Sequence, residues 1–292
     1  MTKDEKVSRM VFRVRLAQIS PVLGDVQANL ERHLELMGEA ADAGLDLLVF
    51  PEMSLCGYHV RDLALEVARP RGAPELGALA AASQRVSVVV GFVEELPDYQ
   101  LCVAAGYFEQ GHLRHVHHKV YLPTYGMFDE QRYFANGGRI RTFRSQFAPT
   151  ALLICEDIWH PSTALIAAHD GAQVLIVIAN SPARGPGAEG WDTAAAYDAM
   201  LSTYAQLFGC YVVFVNRVGY EDGVHFWGGS RVVAPDGKTV VQAPIGEEAF
   251  VDATLDLGEV RRSRVAAPLL ADENLDLTIR ELKRIRHERS GH

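Results

Sequence analysis

The stretch Ala151-Leu152-Leu153-Ile154-Cys155-Glu156-Asp157 decides how the chain is read. Four apolar residues in unbroken succession give way at once to a thiol and two carboxylates. A strand with one wet face alternates apolar and polar residues, so an unbroken run reads as a strand covered on both sides. The candidate buried strands, each rich in Val, Ile, Leu or Phe with weak polar alternation, are Val14–Ser20, Leu45–Phe50, Val86–Glu94, Ala151–Cys155, Val174–Ala179 and Tyr211–Asn216.

Helical patterns lie between these runs. In Val26–Ala43 the apolar positions Val26, Leu30, Leu34, Met37 and Ala41 recur every three or four residues, with Asp25 placed to cap the start and Gly44 to stop the end. Pro161–Asp170 opens on proline and ends at Gly171, Asp192–Phe208 ends at Gly209, and Asp272–Glu288 forms a last, basic helix. Two segments alternate instead and carry turn signals. They are Asp98–Lys119, with Gln110-Gly111, and Gly228–Val241, with Pro235-Asp236-Gly237, and both predict antiparallel hairpins. The expectation is an α/β fold with mixed sheets inside and helices outside. No Ser/Gly/Pro-rich linker or charge block divides it, so residues 1–292 are expected to form one domain, with 1–12 as a disordered lead and 272–292 as the basic C-terminal helix.

Composition narrows the function classes. The 292 residues are 48% hydrophobic, which excludes a disordered chain, and the net charge of −9 repels phosphate, which argues against a nucleic-acid or anionic-membrane binder. Residues 280–292 hold five Arg/Lys against two Glu, too few to reverse the acidic remainder. No apolar stretch approaches the roughly 18 residues of a membrane span. The polar start Met1–Met10 does not read as a signal peptide. Cys56, Cys102, Cys155 and Cys210 have no paired spacing, so free thiols in a reducing cytoplasm are expected.

In a sheet of this kind, functional groups gather just past the carboxyl ends of strands. Three such ends here present Glu52 (after Phe50-Pro51), Lys119 (after Val116–His118) and Cys155. Together they would have a definite use. Glu52 would take the thiol proton, Cys155 would attack a carbonyl carbon, and Lys119 would neutralise the oxyanion, helped by a backbone N–H beside the cysteine. Each also has an ordinary structural reading: a core thiol, a helix-start carboxylate, a solvated strand end. Spacing alone does not join them.

At these positions the chain resembles the nitrilase-type carbon–nitrogen hydrolases. Phe50-Pro51-Glu52, the Lys119 segment and Leu153-Ile154-Cys155-Glu156-Asp157 look like that family's three signature blocks, in its order and with its approximate separations. The resemblance runs from Val14-Arg15-Leu16-Ala17-Gln18 to Phe226-Trp227-Gly228-Gly229-Ser230. It implies a four-layer α-β-β-α sandwich with a Glu52, Lys119 and Cys155 centre, acting through a covalent thioester without metal or organic cofactor. It further implies that Glu130 supports the lysine. Within the family the closest resemblance is to the glutaminase domain of glutamine-dependent NAD synthetases. It is carried by Leu122-Pro123-Thr124-Tyr125-Gly126-Met127-Phe128-Asp129-Glu130-Gln131-Arg132-Tyr133-Phe134, by Cys155-Glu156-Asp157-Ile158-Trp159, and by Gly57-Tyr58 followed by Asp62-Leu63. The positions matching the glutamine pocket are Tyr58, Tyr125, Phe128, Glu156 and Ser181. In addition, Glu156 suits the α-ammonium of a glutamine and Arg184 its α-carboxylate.

The Ser-Gly-Gly-x-Asp-Ser pyrophosphate loop of the synthetase half of those enzymes does not occur here. The expectation is therefore a cysteine-dependent amidohydrolase that uses water to release ammonia from a small carboxamide, glutamine first. The alternatives are an amidase or N-carbamoyl hydrolase on another small linear substrate, or a glutaminase or regulatory subunit serving a separate ammonia-accepting synthetase. By resemblance a homo-oligomer is expected. His115, His117 and His118 raise a metal hypothesis, but no acidic or Cys partner stands at a recognisable spacing. His160 lies too close to Cys155 in sequence to serve as an independently placed base. Trp227-Gly228-Gly229-Ser230 lacks the Gly-Lys-Ser/Thr of a phosphate loop.

Overall fold

Asp25 and Gly44 bracket the first helix as the pattern predicts. The Asp25 carboxylate accepts from the Ala28 N–H at 3.0 Å, satisfying one orphan donor of the first turn, and Gly44 takes a left-handed φ of 68° just past the end. The computed structural model describes residues 10–187 and 190–290. Along the chain come β1 (Val11–Gln18), α1 (Val26–Asp42), β2 (Leu47–Val49), α2 (Ala64–Val67), α3 (Pro74–Ala82), β3 (Ser87–Glu95), β4 (Leu101–Glu109) and β5 (His112–His118). The middle gives β6 (Thr142–Arg144), β7 (Pro149–Ile154), α4 (Pro161–His169), β8 (Val174–Ala179), β9 (Pro186–Gly187), β10 (Gly190–Trp191), α5 (Asp192–Phe208) and β11 (Tyr211–Asn216). The last part adds β12 (Val218–Glu221), β13 (Val224–Trp227), β14 (Arg231–Val233), β15 (Thr239–Gln242), β16 (Ala249–Asp256), α6 (Leu257–Ala266), α7 (Leu269–Asp272) and α8 (Leu275–Arg289).

Two six-stranded sheets result, in the orders β16-β1-β2-β3-β4-β5 and β15-β14-β11-β8-β7-β6. Both are mixed. β1, β2 and β3 are parallel, as are β7, β8 and β11, while the hairpins β3–β4–β5 and β14–β15 are antiparallel. The sheets lie face to face, β1 on β11 and β4 and β5 on β7; α1 and α3 cover the outer side of the first, and α5 packs on β11 and β14 of the second and against α4. This is the four-layer α-β-β-α sandwich. All residues of β8 and β11 are buried, which explains their unbroken apolar reading. Each such Val, Ile or Leu contributes about 1.5–3 kcal/mol by leaving water.

The sheet topology also determines which ends meet. β5 runs antiparallel to β4, which runs antiparallel to β3, so β5 points the same way as β2 and delivers its last residue to the same edge. Three boundaries differ from expectation. Val11 and Phe12 are not part of a lead: Phe12 is buried and stacks on Phe147 at 4.9 Å, and β1 starts three residues before the expected Val14. Residues 1–9 lie outside the described residues. Residues 272–274 are not yet in the last helix: Asp272 ends α7 and the Asn274 side chain caps α8. Cys155 is not the end of a strand either. Strand β7 stops at Ile154, and Cys155 opens a 3-10 turn (Cys155–Trp159) with φ +44°. No described helix is long and apolar enough to cross a membrane.

One close approach of backbones holds the edge after β2. A Cβ on Gly91 of β3 would lie 2.3 Å from Met53 N and 2.5 Å from Pro51 O. Since neither neighbour is a flexible side chain, Gly91→Ala should destabilise the fold by about 1–3 kcal/mol. Chemical denaturation checks this, and an unchanged unfolding midpoint would contradict it.

Candidate active site

Lys119 follows β5 and is 1% exposed. An ammonium at that depth needs partners, and it has two: Nζ donates to Glu52 Oε1 and to Glu130 Oε1, each at 2.8 Å. Glu52 follows β2 and is fully buried. Its Oε2 accepts from the Asn180 N–H at 2.8 Å, while Asn180 Nδ2 donates back to the Glu52 carbonyl at 2.8 Å. The first sheet's carboxylate is thus bolted to the end of β8 in the second. Glu130 enters on a short 3-10 turn (Glu130–Arg132) and also accepts from the Tyr58 hydroxyl at 2.5 Å.

Cys155 stands on its left-handed backbone because the chain curls back immediately after β7. The agent is Asp157, also fully buried. Its Oδ2 accepts from Ile154 N at 3.0 Å and faces His117 Nε2 at 2.8 Å. Its Oδ1 accepts from Val120 N at 2.9 Å and Tyr121 N at 3.1 Å. One carboxylate therefore ties the residues flanking Lys119 to the turn that presents Cys155. A non-glycine residue at positive φ costs of order 1–3 kcal/mol and persists only when its surroundings impose it. These hydrogen bonds do so.

The electrostatics follow from burial. Burial pushes the Cys155 thiol up, Glu52 pushes it further, and Lys119 and the Tyr197 hydroxyl pull it down without offsetting the rise. The resting sulfur is therefore a thiol. Burial works against the Lys119 ammonium, but the Glu130 and Glu52 carboxylates outweigh it and hold its pKa well above the ordinary value. Burial raises Glu130 to about 7, with Glu52 adding to the rise and Lys119 opposing it.

Of the residues singled out from sequence, Glu52, Lys119, Glu130 and Tyr58 join in one hydrogen-bonded cluster, and Cys155 lies within its field. A second group stands beside it. The Tyr125 hydroxyl donates to Glu156 Oε2 at 2.8 Å, and the Arg184 guanidinium lies over the Phe128 ring at 4.5 Å and the Tyr125 ring at 5.8 Å. Among the described residues, Arg184 Nη2 is buried without a hydrogen-bond partner. Ser181 is spent differently: its hydroxyl accepts from Trp227 Nε1 at 3.1 Å. A cavity of about 250 Å³ opens beside the cluster, walled by Tyr58, His59, Met127, Phe128, Glu130 and Tyr133. The three histidines separate. His117 turns to Asp157, His118 Nε2 to Glu94 at 2.5 Å, and His115 stacks on Phe143. His160 stacks on Tyr121.

Sequence reasoning missed Asp157, Asn180 and Tyr197. The first two carry a signal in hindsight, since Asn180 directly follows an apolar strand and Asp157 stands three residues past one. Tyr197 carries none, because it sits on a helix whose pattern explains it as core.

A carbon-nitrogen hydrolase family profile matches residues 13–265. The chain belongs to the carbon-nitrogen hydrolase family. It is accordingly a hydrolase acting on carbon–nitrogen bonds. Among its relatives, the glutamine-dependent NAD(+) synthetase of Thermotoga maritima is 32% identical over 292 residues, covering 96% of this chain and 49% of the relative. The chain thus spans about half the length of the NAD(+) synthetases it matches. Among solved structures, a carbon-nitrogen hydrolase from Helicobacter pylori G27 superposes with a TM-score of 0.84 at 22% identity, covering 94% of this chain and 99% of that one. An amidase variant from Nesterenkonia sp. AN1, with the acetamide moiety of fluoroacetamide added covalently at its active-site cysteine, gives 0.78 at 22% identity over 92% and 96%. At these identities the two superpositions speak for the fold.

The paired carboxylates of this carbon-nitrogen hydrolase make a pH prediction. Because burial raises the folded pKa of Glu130, that carboxylate takes up a proton as pH falls through about 7. Amide hydrolysis should lose kcat/KM along that limb. Glu130→Gln removes the titrating carboxyl, so the limb near pH 7 should disappear. A pH–rate profile with the limb retained in Glu130→Gln would refute the assignment.

Proposed function

We propose that the chain hydrolyses a small carboxamide through a covalent thioester on Cys155, with glutamine the first candidate. The observation that carries this reading is the buried Lys119 held between Glu52 and Glu130 within the field of a thiol on a strained turn. Since the resting sulfur is protonated, a base must act during attack, and Glu52 is the carboxylate that most raises the thiol pKa. The S–H proton passes to Glu52 as sulfur bonds to the amide carbon and the carbonyl electron pair moves to oxygen. Lys119 balances that oxyanion, with a backbone N–H beside Cys155. Glu52 then protonates the nitrogen, the C–N bond breaks and ammonia leaves. Water, activated by the same carboxylate, hydrolyses the thioester and frees the acid.

The glutamine reading rests on charge. Glu156 offers a carboxylate for an α-ammonium, while Arg184, with one buried N–H face unpartnered and its plane on Phe128, offers a bidentate donor for an α-carboxylate. Tyr58, Tyr125, Phe128 and Ser181 would shape the pocket between them. The half-length match to NAD(+) synthetases supports one further reading, a glutaminase that passes ammonia to a separate synthetase and runs faster with it. A free amidase would turn over alone.

Intact mass spectrometry after exposure to a glutamine-like diazo-ketone should show one adduct, absent in Cys155→Ala. Full ammonia release in Cys155→Ala would sink the mechanism. Lys119→Ala should slow hydrolysis about 100-fold or more, as loss of a main oxyanion donor does. Arg184→Ala should raise KM for glutamine about 10-fold or more while leaving simple aliphatic amides unaffected. A higher kcat/KM for those amides than for glutamine in the unmodified enzyme would rule out a glutamine preference.

A further inference from the structure

We propose that Tyr197 is a further catalytic residue, its hydroxyl donating a hydrogen bond to the Cys155 sulfur before and during attack. The proposal rests on the amidohydrolase reading for its consequence but not for its geometry. Tyr197 projects from α5, is 1% exposed, and its oxygen lies 3.4 Å from Cys155 Sγ. Its ring is caged by Phe214 at 4.8 Å, Trp159 at 5.3 Å and Trp227 at 6.0 Å between centroids, so the hydroxyl has little freedom to leave.

The direction of the bond follows from counting hydrogens. Either atom of a thiol–phenol pair is able to donate. The thiol carries one hydrogen, and attack sends it to Glu52; from that point the sulfur has only lone pairs to offer, and the single hydrogen of the Tyr197 hydroxyl is the one left for the bond. Trp159 stands edge-on to the Tyr197 ring at 84° and helps to hold it there. The sulfur, already an acceptor on that side, keeps its own proton free for Glu52. Trp159 belongs to the same 3-10 turn as Cys155, so the turn that presents the nucleophile also orients its partner.

The charged groups that face the sulfur are Glu52, Lys119 and Glu130, and the Tyr58 and Tyr125 phenols also feel its charge. Glu52 and Glu130 disfavour a thiolate; only Lys119 and Tyr197 favour one. As the S–H proton moves to Glu52 and the C–S bond forms, charge passes through sulfur to the carbonyl oxygen. A donor fixed on sulfur stabilises that passage without giving up its proton, because burial holds the Tyr197 phenol far above its ordinary pKa.

The test uses the 292-residue chain and two variants, Tyr197→Phe, which keeps the ring, and Trp159→Ala, which removes one wall of its cage, with Cys155→Ser as the blank for the other three thiols. The first readout is the rate of iodoacetamide alkylation of Cys155 at fixed pH, followed by peptide mass spectrometry. The second is kcat and KM for the amide. Tyr197→Phe should slow alkylation and lower kcat, each about 10-fold, with KM within about threefold, as expected for loss of one hydrogen bond to a charge-bearing atom. Trp159→Ala, at a residue 37% exposed, removes one wall of the cage and should move both in the same direction by less. Unchanged alkylation and kcat in Tyr197→Phe would overturn the proposal, and if that variant does not fold, unchanged values in Trp159→Ala would overturn it instead. Slowed alkylation in a chain that hydrolyses no amide would sustain the hydrogen bond and refute the amidohydrolase reading. Normal hydrolysis through Cys155, untouched by either variant, would do the reverse.

Discussion

A single ammonium, buried between two carboxylates, sets the terms for this molecule. Lys119 is shut away from water, and taking an ion to that depth costs several kcal/mol unless partners meet it with good geometry. Glu52 and Glu130 meet it at 2.8 Å each, but two acids around one base leave an excess negative charge that burial again penalises. Burial first, and that excess charge with it, raises the pKa of Glu130 and of the Cys155 thiol. The cluster is thus poised to receive one proton and to balance a negative charge appearing nearby, which are the two needs of acyl transfer.

Such a cluster works only if its members cannot relax away. The framework answers with backbone, not with bulk. Gly91 lets β3 touch the turn that carries Glu52, Asn180 clasps that turn from the opposite sheet, and Asp157 gathers donors from both the Lys119 segment and the Cys155 turn. Each contact crosses between elements far apart in sequence, so the site is a property of the two-sheet sandwich and of no single motif. The strain at Cys155 and at Met53, which takes φ +47° directly after Glu52, sits where the chain must turn sharply to hold a side chain in place.

Around this centre the residues divide by chemistry. On the Tyr58, Glu130 and Lys119 side the side chains pair with one another, Glu130 facing the Lys119 ammonium with both oxygens at 2.8 Å, whereas the Arg184 side keeps a buried donor unpaired among the described residues. A buried unpaired guanidinium N–H is costly in isolation and useful to a carboxylate ligand. That contrast separates the part of the site proposed to perform chemistry from the part that would choose a substrate. The hydrogen-bonded phenol and thiol lie on a third side, with Tyr197 held by aromatic packing between the Cys155 turn and α5.

The sequence by itself determined the buried strands β8 and β11 to the residue, the capped helix α1, both hairpins and the identity of Glu52, Lys119 and Cys155 as candidates, because apolar periodicity, caps and turn chemistry are local. It did not reveal that β7 stops one residue early to place Cys155 on a left-handed turn, since the cause is a carboxylate hydrogen-bonded to segments some 36–40 residues away. Nor did it reveal Asn180, Asp157 or Tyr197, whose side chains acquire their meaning from partners in another layer. Local patterns encode which elements form. Which polar atoms meet across layers is decided only when burial forbids water and every donor must find its acceptor within the folded chain.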